Sequence, residues 1–416
     1  MSEMPQLLTL SGTVPGEPGV GGVILQDLQR QLPAETLQCV PAVAPQAVQL
    51  GWLERADDLS GHVLRRYETG YRPVSGFSGE VVGWLARRLL FRKHCRNLVT
   101  QICRHPAAQS CDKVWAVLDC PTVIQTALKV AQQLRKPLVT LVWDAPELLV
   151  SQFHMDRWSG AEMLNLFGRT LQASERIGVI CEQMRQAYTA KFGVKSCVIM
   201  RHGIHESLWH SPQSPASDRL VIGFAGSITA RQPFRRLIAM LDACQWRVSG
   251  RPVTLRLIGS RYTLDSRAPQ HIEYFGWRSL DQTVQLLAEC DVLYLPQPFE
   301  PDLRPLAELS FPTKLTTYLA AGRPVLLHAP DYGSITPFLV DYPVGRQCTT
   351  LDCDSLRTTL EQLVRRSGAE LSDAIDSARR DEFSQTVFLH RFQQLAGVMD
   401  ESEMISAATA GVAEQV

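Results

Sequence analysis

Short apolar runs alternate with segments of helical period along most of the chain. In the first half the apolar runs predict strands over 6–11, 36–40, 114–118, 138–143, 177–181 and 198–200. Between them, apolar residues three and four apart predict a helix carrying Val23, Ile24, Leu28 and Leu32, then helices over 81–104, 123–134, 162–173 and 182–192. The second half repeats the alternation. Its strands fall over 220–225, 253–258, 272–275, 291–296 and 325–328, its helices over 234–244, 280–288, 356–364 and about 371–398. Strand followed by helix throughout implies parallel sheets covered on both faces. Residues 202–218 interrupt the pattern with His202-Gly203, Ser211-Pro212 and Ser214-Pro215, which places a domain boundary there.

One stretch, 310–327, organises the rest. It reads as loop, helix, tight turn and buried strand. Ser310 is placed to cap the helix and Pro312 to sit in its first turn. Leu315, Leu319, Ala320 and Ala321 would face a sheet, and Gly322 would end the helix in a left-handed conformation. Such a helix turns its N-terminal amides and Lys314 toward the crevice beside the sheet, where a phosphate binds well. The segment before it, 297–309, reads as a long loop.

The first half opens with a strand, a glycine-rich segment over 12–23 and a helix, as doubly wound domains do. The glycines match neither Gly-x-Gly-x-x-Gly nor a Walker lysine pattern, so a flexible connector competes with a ligand-binding loop. The strand 138–143 runs into Asp144, where a carboxylate would face the ligand crevice. Asp144 is a candidate base or sugar ligand, with an N-cap as the rival role.

Composition narrows the classes. The chain has 416 residues, enough for two or three domains, and 42 basic residues balance 42 acidic ones, so nothing marks it as a nucleic-acid binder. Eleven cysteines without a Cys-x-x-Cys suit buried thiols in a reducing compartment. His202-x-x-His205 with His210 has a metal-like spacing, but it lies in a linker with no second cluster, and no metal is expected. The start lacks the basic and apolar regions of a signal peptide and no apolar run is long enough to span a bilayer, so the expected place is the cytoplasm. The helix that opens at Val81 and closes at Arg104 carries Arg87, Arg88, Arg92, Lys93 and Arg96 without an acidic residue, beside Trp84, Leu85, Leu89, Leu90 and Phe91. That composition suits peripheral contact with the inner face of a membrane; a solvated basic face on a core helix is the competing reading.

The second half resembles the donor domain of GT-B glycosyltransferases of the retaining, family-4 kind. The likeness is carried, in order, by Gly223-Phe224-Ala225-Gly226-Ser227, Leu257-Ile258-Gly259, Tyr274-Phe275-Gly276-Trp277, Asp291-Val292-Leu293-Tyr294-Leu295-Pro296 and Pro312-x-Lys314-Leu315-x-x-Tyr318-Leu319-Ala320-Ala321-Gly322-Arg323-Pro324-Val325. In the first half the glycine loop 16–22, Ile180-Cys181-Glu182-Gln183-Met184 and Arg201-His202-Gly203-Ile204 match more loosely. The resemblance implies an α/β, GT-B architecture: two Rossmann-like, doubly wound parallel-sheet domains facing a central cleft. The acceptor-side domain would span 1–204 and the donor domain 205–370. Helices over 371–399 would cross back to the first domain, leaving a disordered tail over 400–416.

The resemblance further implies transfer of a sugar from a nucleotide-diphosphate sugar to a glycan, lipid-linked or small-molecule acceptor, as in polysaccharide biosynthesis. Retention of configuration is implied, with no metal and no cofactor beyond the nucleotide-sugar co-substrate. Lys314, Arg231 and Asp144 would be catalytic. Gly226, Ser227, Gly259, Gly276, Trp277, Thr313, Leu315 and Thr317 would bind the donor, and Gly19, Gly21 and Gly22 would form the acceptor-side loop. Ser227 stands where the family usually has arginine, and Thr317 where it often has a ribose-binding glutamate. These departures leave a second reading, a catalytically degenerate protein of the same fold that binds a ligand or partner. A third is another GT-B enzyme such as a nucleotide-sugar epimerase.

Overall fold

The structure, a computed structural model, describes residues 4–17, 19–43, 64–65, 76–194, 196–212, 218–259, 264–365 and 368–398. The tail read as disordered, 400–416, lies outside the described residues. The chain divides into two compact units, residues 1–200 with the chain from Leu389 onward, and residues 201–388.

In the first unit β1 (Leu7–Ser11) is central because every one of its residues is buried, which only a strand covered on both faces requires. It pairs in parallel with β2 (Leu37–Val43) on one side and β4 (Lys113–Val117) on the other. With β3 (Leu64–Arg65), β5 (Leu138–Leu141), β6 (Arg176–Val179) and β7 (Cys197–Ile199) the sheet runs β3-β2-β1-β4-β5-β6-β7, all parallel. The order reverses between β1 and β4, so a crevice opens at the C-terminal ends of those two strands. Asp119, just beyond β4, closes its floor. Its carboxylate accepts from the Gly12 amide (2.8 Å) and from the hydroxyls of Ser11 (3.1 Å) and Thr13 (2.9 Å).

Among the described residues of this unit, helices α1 (Val20–Gln31), α2 (Phe77–Ala86), α3 (Arg92–Arg104), α4 (Pro106–Ser110), α5 (Pro121–Leu134), α6 (Pro146–Gln152), α7 (Arg157–Ala173) and α8 (Glu182–Phe192) connect or flank the strands. A π-helical turn over Arg87–Phe91 joins α2 to α3. Its cause lies in the sequence. The buried residues Gly79, Gly83, Arg87, Phe91 and Cys95 recur every fourth position, and in an α-helix that stripe would rotate by about 40° per step. A wider turn takes up the excess.

The same stripe corrects one expectation. Arg87 is not part of the exposed basic face; it pairs with Asp156 at 2.8 Å, the two side chains being 4% and 0% exposed, and donates to the carbonyls of Phe153 and His154. Asp156 caps α7 by accepting from the Ser159 amide, and a buried carboxylate needs a counter-charge. Arg88, Lys93, Arg96 and Arg104 stay exposed.

The second unit repeats the topology. Its strands are β8 (Leu220–Ala225), β9 (Arg247–Val248), β10 (Arg251–Ile258), β11 (Ile272–Gly276), β12 (Val292–Pro296), β13 (Val325–His328) and β14 (Gly345–Cys348). The order is β11-β10-β8-β12-β13-β14, parallel throughout, with β9 added antiparallel to β10. The helices are α9 (Arg231–Ala243), α10 (Leu280–Ala288), α11 (Arg304–Leu309), α12 (Lys314–Ala320), α13 (Thr336–Asp341), α14 (Cys353–Arg365) and α15 (Gly368–Ala378). A second π turn, Arg379–Phe383, follows, and α16 (Gln385–Ala396) runs past the division between the units. The helical stretch expected over about 371–398 is interrupted at Ser384, whose backbone is extended. Phe224, Phe234 and Tyr294 stack edge to face at the centre of the core. His328 is buried below them. Desolvation lowers its pKa to about 4, so the neutral ring donates to the Thr350 carbonyl and meets the Tyr294 hydroxyl at 2.8 Å.

Two local expectations fail around α12. Residues 297–309 are not all loop, because Pro305 at the head of α11 and the Arg304–Glu308 pair one turn apart favour a short helix. Ser310 is consequently the C-terminal cap of α11, and its carbonyl accepts from the Ser334 hydroxyl, while Thr313 precedes α12 without a side-chain capping bond.

The ten cysteines whose side chains are described are free thiols. No helix among the described residues is long and apolar enough to cross a membrane, and no group of three or more His, Cys, Asp or Glu among them could hold a metal ion. His202 packs edge-on to Phe388, His205 caps a short 3₁₀ turn, and the His210 backbone bonds to the end of α12.

Arg87→Met should lower unfolding free energy by about 3–5 kcal/mol, since it strands the Asp156 charge in the core, whereas Arg88→Met should change it by less than about 0.5 kcal/mol. Burial alone would raise the Asp156 pKa, but hydrogen bonds from Ser159 and Arg87 outweigh it and hold the carboxyl below 3.8. Its contribution is therefore present above that value and lost as pH falls through the depressed folded one. Urea titrations of both variants over an acid pH series measure this.

Candidate functional site

The site is built at the C-terminal edge of the second sheet, where strand pairing runs out. β12 pairs with β8 only at Val292↔Ile222 and Leu293↔Gly223, and beyond that the two strands part. The Ala225 amide and the Tyr294 carbonyl, left facing the fork, are both met by the Tyr318 hydroxyl, which accepts from the first at 3.1 Å and donates to the second at 3.0 Å. Tyr318 lies one helical turn after Lys314 on α12, so fixing its ring in the fork also fixes where Lys314 points.

Three glycines line the mouth of this fork. Gly226 follows β8 with φ +89°, and its amide donates to the Ile258 carbonyl at 2.8 Å. Gly259 follows β10 with φ +119°, and a Cβ there would come within 3.2 Å of the Gly226 backbone. Its amide donates to the Gly276 carbonyl at 2.8 Å. Only glycine accommodates both the dihedral and the approach. Gly276 ends β11 with open space above it, and Trp277 beside it is 70% exposed.

Lys314 closes the group. A Cβ on Gly226 would lie 3.1 Å from its Cε and 3.4 Å from its Nζ, so the lysine occupies the space that the glycine leaves. Its ammonium sits 5.6 Å from the centre of the Phe224 ring. No carboxylate among the described residues pairs with it. Desolvation lowers its pKa from the ordinary 10.5, because burial penalises an ammonium that has no counter-charge. A cation held over glycine backbone without a partner is an arrangement that an anion completes.

The other expected donor residues are distributed unevenly. Ser227 is exposed beside Gly226, Thr313 is exposed just ahead of α12, and Thr317 is half-buried within it. Leu315 does not serve as expected: its side chain is fully buried in the core and its amide donates to the Pro312 carbonyl at 3.0 Å, which leaves nothing to offer a phosphate. Arg231 opens α9 as an exposed residue. It lines a recess of about 750 Å³ with Phe234, Arg235, Asp242, Leu264 and Arg267 rather than the cradle of Lys314.

In the first unit the glycine loop is pinned rather than loose. The Gly16 amide donates to the Gly22 carbonyl at 2.8 Å, Gly19 caps α1 with φ +140°, and Gly22 presses against the Glu17 backbone. Gly21 lies under Trp143, whose ring a Cβ would approach to 2.6 Å. Asp144, the next residue, is exposed. It does not cap α6, whose N-cap is Ala145. Sequence reasoning missed Asp119, the role of Tyr318, and the buried Arg379, which donates to the Leu319 and Ala320 carbonyls at the end of α12 and to the His210 carbonyl. Tyr318 stood in the motif over 312–325, four residues after Lys314, but nothing in that pattern gave it a role.

Neither a protein-family model nor a curated protein matches the chain. Solved structures do. HepE of Anabaena in complex with UDP and glucose is 15% identical, with a TM-score of 0.62 over 94% of this chain and 100% of its own. Sucrose-phosphate synthase of Thermosynechococcus elongatus is 14% identical, with a TM-score of 0.63 over 97% of this chain and 100% of its own. The lipopolysaccharide outer core galactosyltransferase WaaB, in its apo form, is 14% identical, with a TM-score of 0.59 over 94% and 98%. At such identities the likeness establishes the fold: the chain has the GT-B fold of these glycosyltransferases.

Tyr318→Phe should cost about 1–3 kcal/mol, the penalty for leaving the Ala225 amide or the Tyr294 carbonyl unsatisfied in the core. Chemical denaturation measures the loss, and hydrogen exchange at Ala225 should quicken with it.

Proposed function

We propose that the chain is a glycosyltransferase that takes its sugar from a nucleoside-diphosphate sugar. The observation that carries the proposal is the unpartnered, desolvated ammonium of Lys314 over Gly226 at the switch point of a doubly wound sheet. That HepE was solved with UDP and with UDP-glucose, and that the neighbours include a sucrose-phosphate synthase and a lipopolysaccharide galactosyltransferase, supports a UDP-sugar donor and a glycan, lipid-linked or small-molecule acceptor.

In the proposed reaction an acceptor hydroxyl attacks the anomeric carbon and the bond from that carbon to the diphosphate oxygen breaks. The hydroxyl proton passes to the departing diphosphate oxygen, which leaves with the bonding pair. Lys314 is assigned to meet that growing charge, a contact worth more in a desolvated position than in water. The diphosphate would rest on Gly226, Ser227 and Gly259, whose missing side chains or small size allow close approach. The exposed Trp277 face beside Gly276 suits the base, and Thr317 a ribose hydroxyl. Gly19, Gly21, Gly22 and Asp144 are assigned to the acceptor side, with Asp144 as base or sugar ligand. Retention and independence of a divalent cation belong to this proposal, with Lys314 as the leaving group's counter-charge, as does a cytoplasmic site of action.

Ser227 and Thr317 favour one other reading, a protein of this fold that binds a nucleotide without turnover. Release of free sugar or transfer to an added acceptor above background, lost in Lys314→Ala, would exclude it.

Calorimetry with UDP, GDP, ADP and dTDP should show binding by at least one of them. Lys314→Ala should weaken it by about tenfold to a hundredfold, the worth of a charge-assisted hydrogen bond. If none binds a folded sample, the proposal falls. Binding should also weaken as pH rises, beginning below 10.5, because the free protein releases the lysine proton early and the neutral amine no longer meets a diphosphate. A Lys314→Met variant should lack that alkaline limb.

A further inference from the structure

The first unit carries a second cationic feature that the donor chemistry does not use. Arg92 and Arg96 on α3, Lys129 on α5 and Arg169 on α7 line a recess of about 620 Å³ between packed helices, where Glu162 is the lining carboxylate and Arg92 engages it. Four cations against one carboxylate leave the recess strongly positive. Directly before Arg92, along the same continuous helix, the apolar residues face outward: Phe77 is 69% exposed, Val82 61%, Leu85 42%, Leu89 64% and Leu90 56%. Arg88 stands among them, over the Trp84 ring at 5.3 Å. The π turn explains the arrangement. It keeps Arg87 and Phe91 in the core while Leu89 and Leu90 are turned out.

We propose that this surface docks the protein on an anionic bilayer. Leu89, Leu90, Leu85, Val82 and Phe77 enter the headgroup boundary and the recess of Arg96, Lys129 and Arg169 takes the phosphate of an acidic phospholipid. Neither half explains the other alone. A solvated basic helix needs no exposed apolar ridge, and an apolar ridge for a neutral partner needs no cationic recess beside it. Charge complementarity selects an anionic lipid surface, since each basic residue held near such a surface adds to the attraction within a Debye length. The recess, set on three packed helices, supplies fixed donors where a flexible polybasic tail would supply mobile ones. The proposal does not rest on the donor site.

The test is co-sedimentation of the full chain with vesicles of phosphatidylcholine alone and of phosphatidylcholine mixed with phosphatidylglycerol, at low and high salt. The protein should sediment with the mixed vesicles at low salt and be released at high salt, and should stay in solution with the neutral ones. Arg96→Gln and Lys129→Gln should each weaken partitioning by about fivefold, and the exposed Leu89→Ser/Leu90→Ser pair should weaken it further. Unchanged thermal melts would show that these surface variants fold. Lys314→Ala should sediment like the parent, and Arg96→Gln/Lys129→Gln should bind nucleoside diphosphate like the parent, which separates this site from the donor site. Equal binding to neutral vesicles, full binding by either set of variants, or no sedimentation at all would overturn the proposal. So would saturation of the recess by soluble glycerol phosphate without any vesicle binding, which would make it a site for a free phosphate.

Discussion

The second unit depends on a parting of two strands that a single hydroxyl satisfies. Parallel strands on either side of a switch point must diverge, because their connections leave to opposite faces, and divergence leaves backbone groups without ladder partners. Here β8 and β12 separate after Gly223 and Leu293, and the Tyr318 hydroxyl takes up one amide and one carbonyl. Burial removes any alternative partner, and desolvation holds the phenol well above its usual pKa, so the group remains a hydroxyl able to accept and donate together. The same ring therefore seals the floor of the crevice and sets the rotation of α12.

A helix of seven residues is too short to be stable by its own hydrogen bonds, and the C-terminal end of α12 is tied by other parts of the unit. At its end Gly322 adopts φ +69°, and Arg379 fills the space over it while donating to the carbonyls of Leu319 and Ala320. A buried guanidinium is costly, and this one is compensated by those carbonyls, by His210 and by Asp376. Its positive charge also lies at the end of the helix where the backbone dipole is negative. The start of the helix is left less satisfied: Leu315 bonds back to Pro312, while Thr313 supplies no side-chain cap.

Where one principle governed a residue, the sequence was enough. Apolar runs marked the parallel strands because both faces are covered, and Gly322 was identifiable because only a left-handed residue follows a helix into a strand so abruptly. Residues serving two demands were misread. Arg87 counts as basic in any helical wheel, yet the four-residue stripe and the π turn send it inward to Asp156. Ser310 has the composition of an N-cap, but α11 ends on it first. Leu315 stood in the right motif, but its amide is spent on the preceding turn. The Tyr318 and Arg379 contacts join residues 24 to 169 positions apart, and no local pattern announces them.

These ties decide what the altered positions Ser227 and Thr317 mean for a bound diphosphate. An arginine after Gly226 would share the charge of the proposed anion between two cations; with serine there, Lys314 would carry more of it alone. A lone ammonium is a weaker partner than a pair but is more strongly affected by its surroundings, since it shifts its pKa readily on burial. Its lowered pKa is the measure of that sensitivity: the folded protein pays to keep a charge over Phe224 and Gly226 with no carboxylate beside it. An anion arriving there relieves the desolvation penalty as well as adding Coulomb attraction, so the two effects reinforce each other at one side chain. In the proposed complex the serine hydroxyl would add a donor without a charge, and Thr317 would offer a ribose a neutral hydrogen bond in place of a charge-assisted one. Under the proposed donor binding, affinity at such a site would be concentrated in the diphosphate, with less drawn from the sugar of the nucleoside.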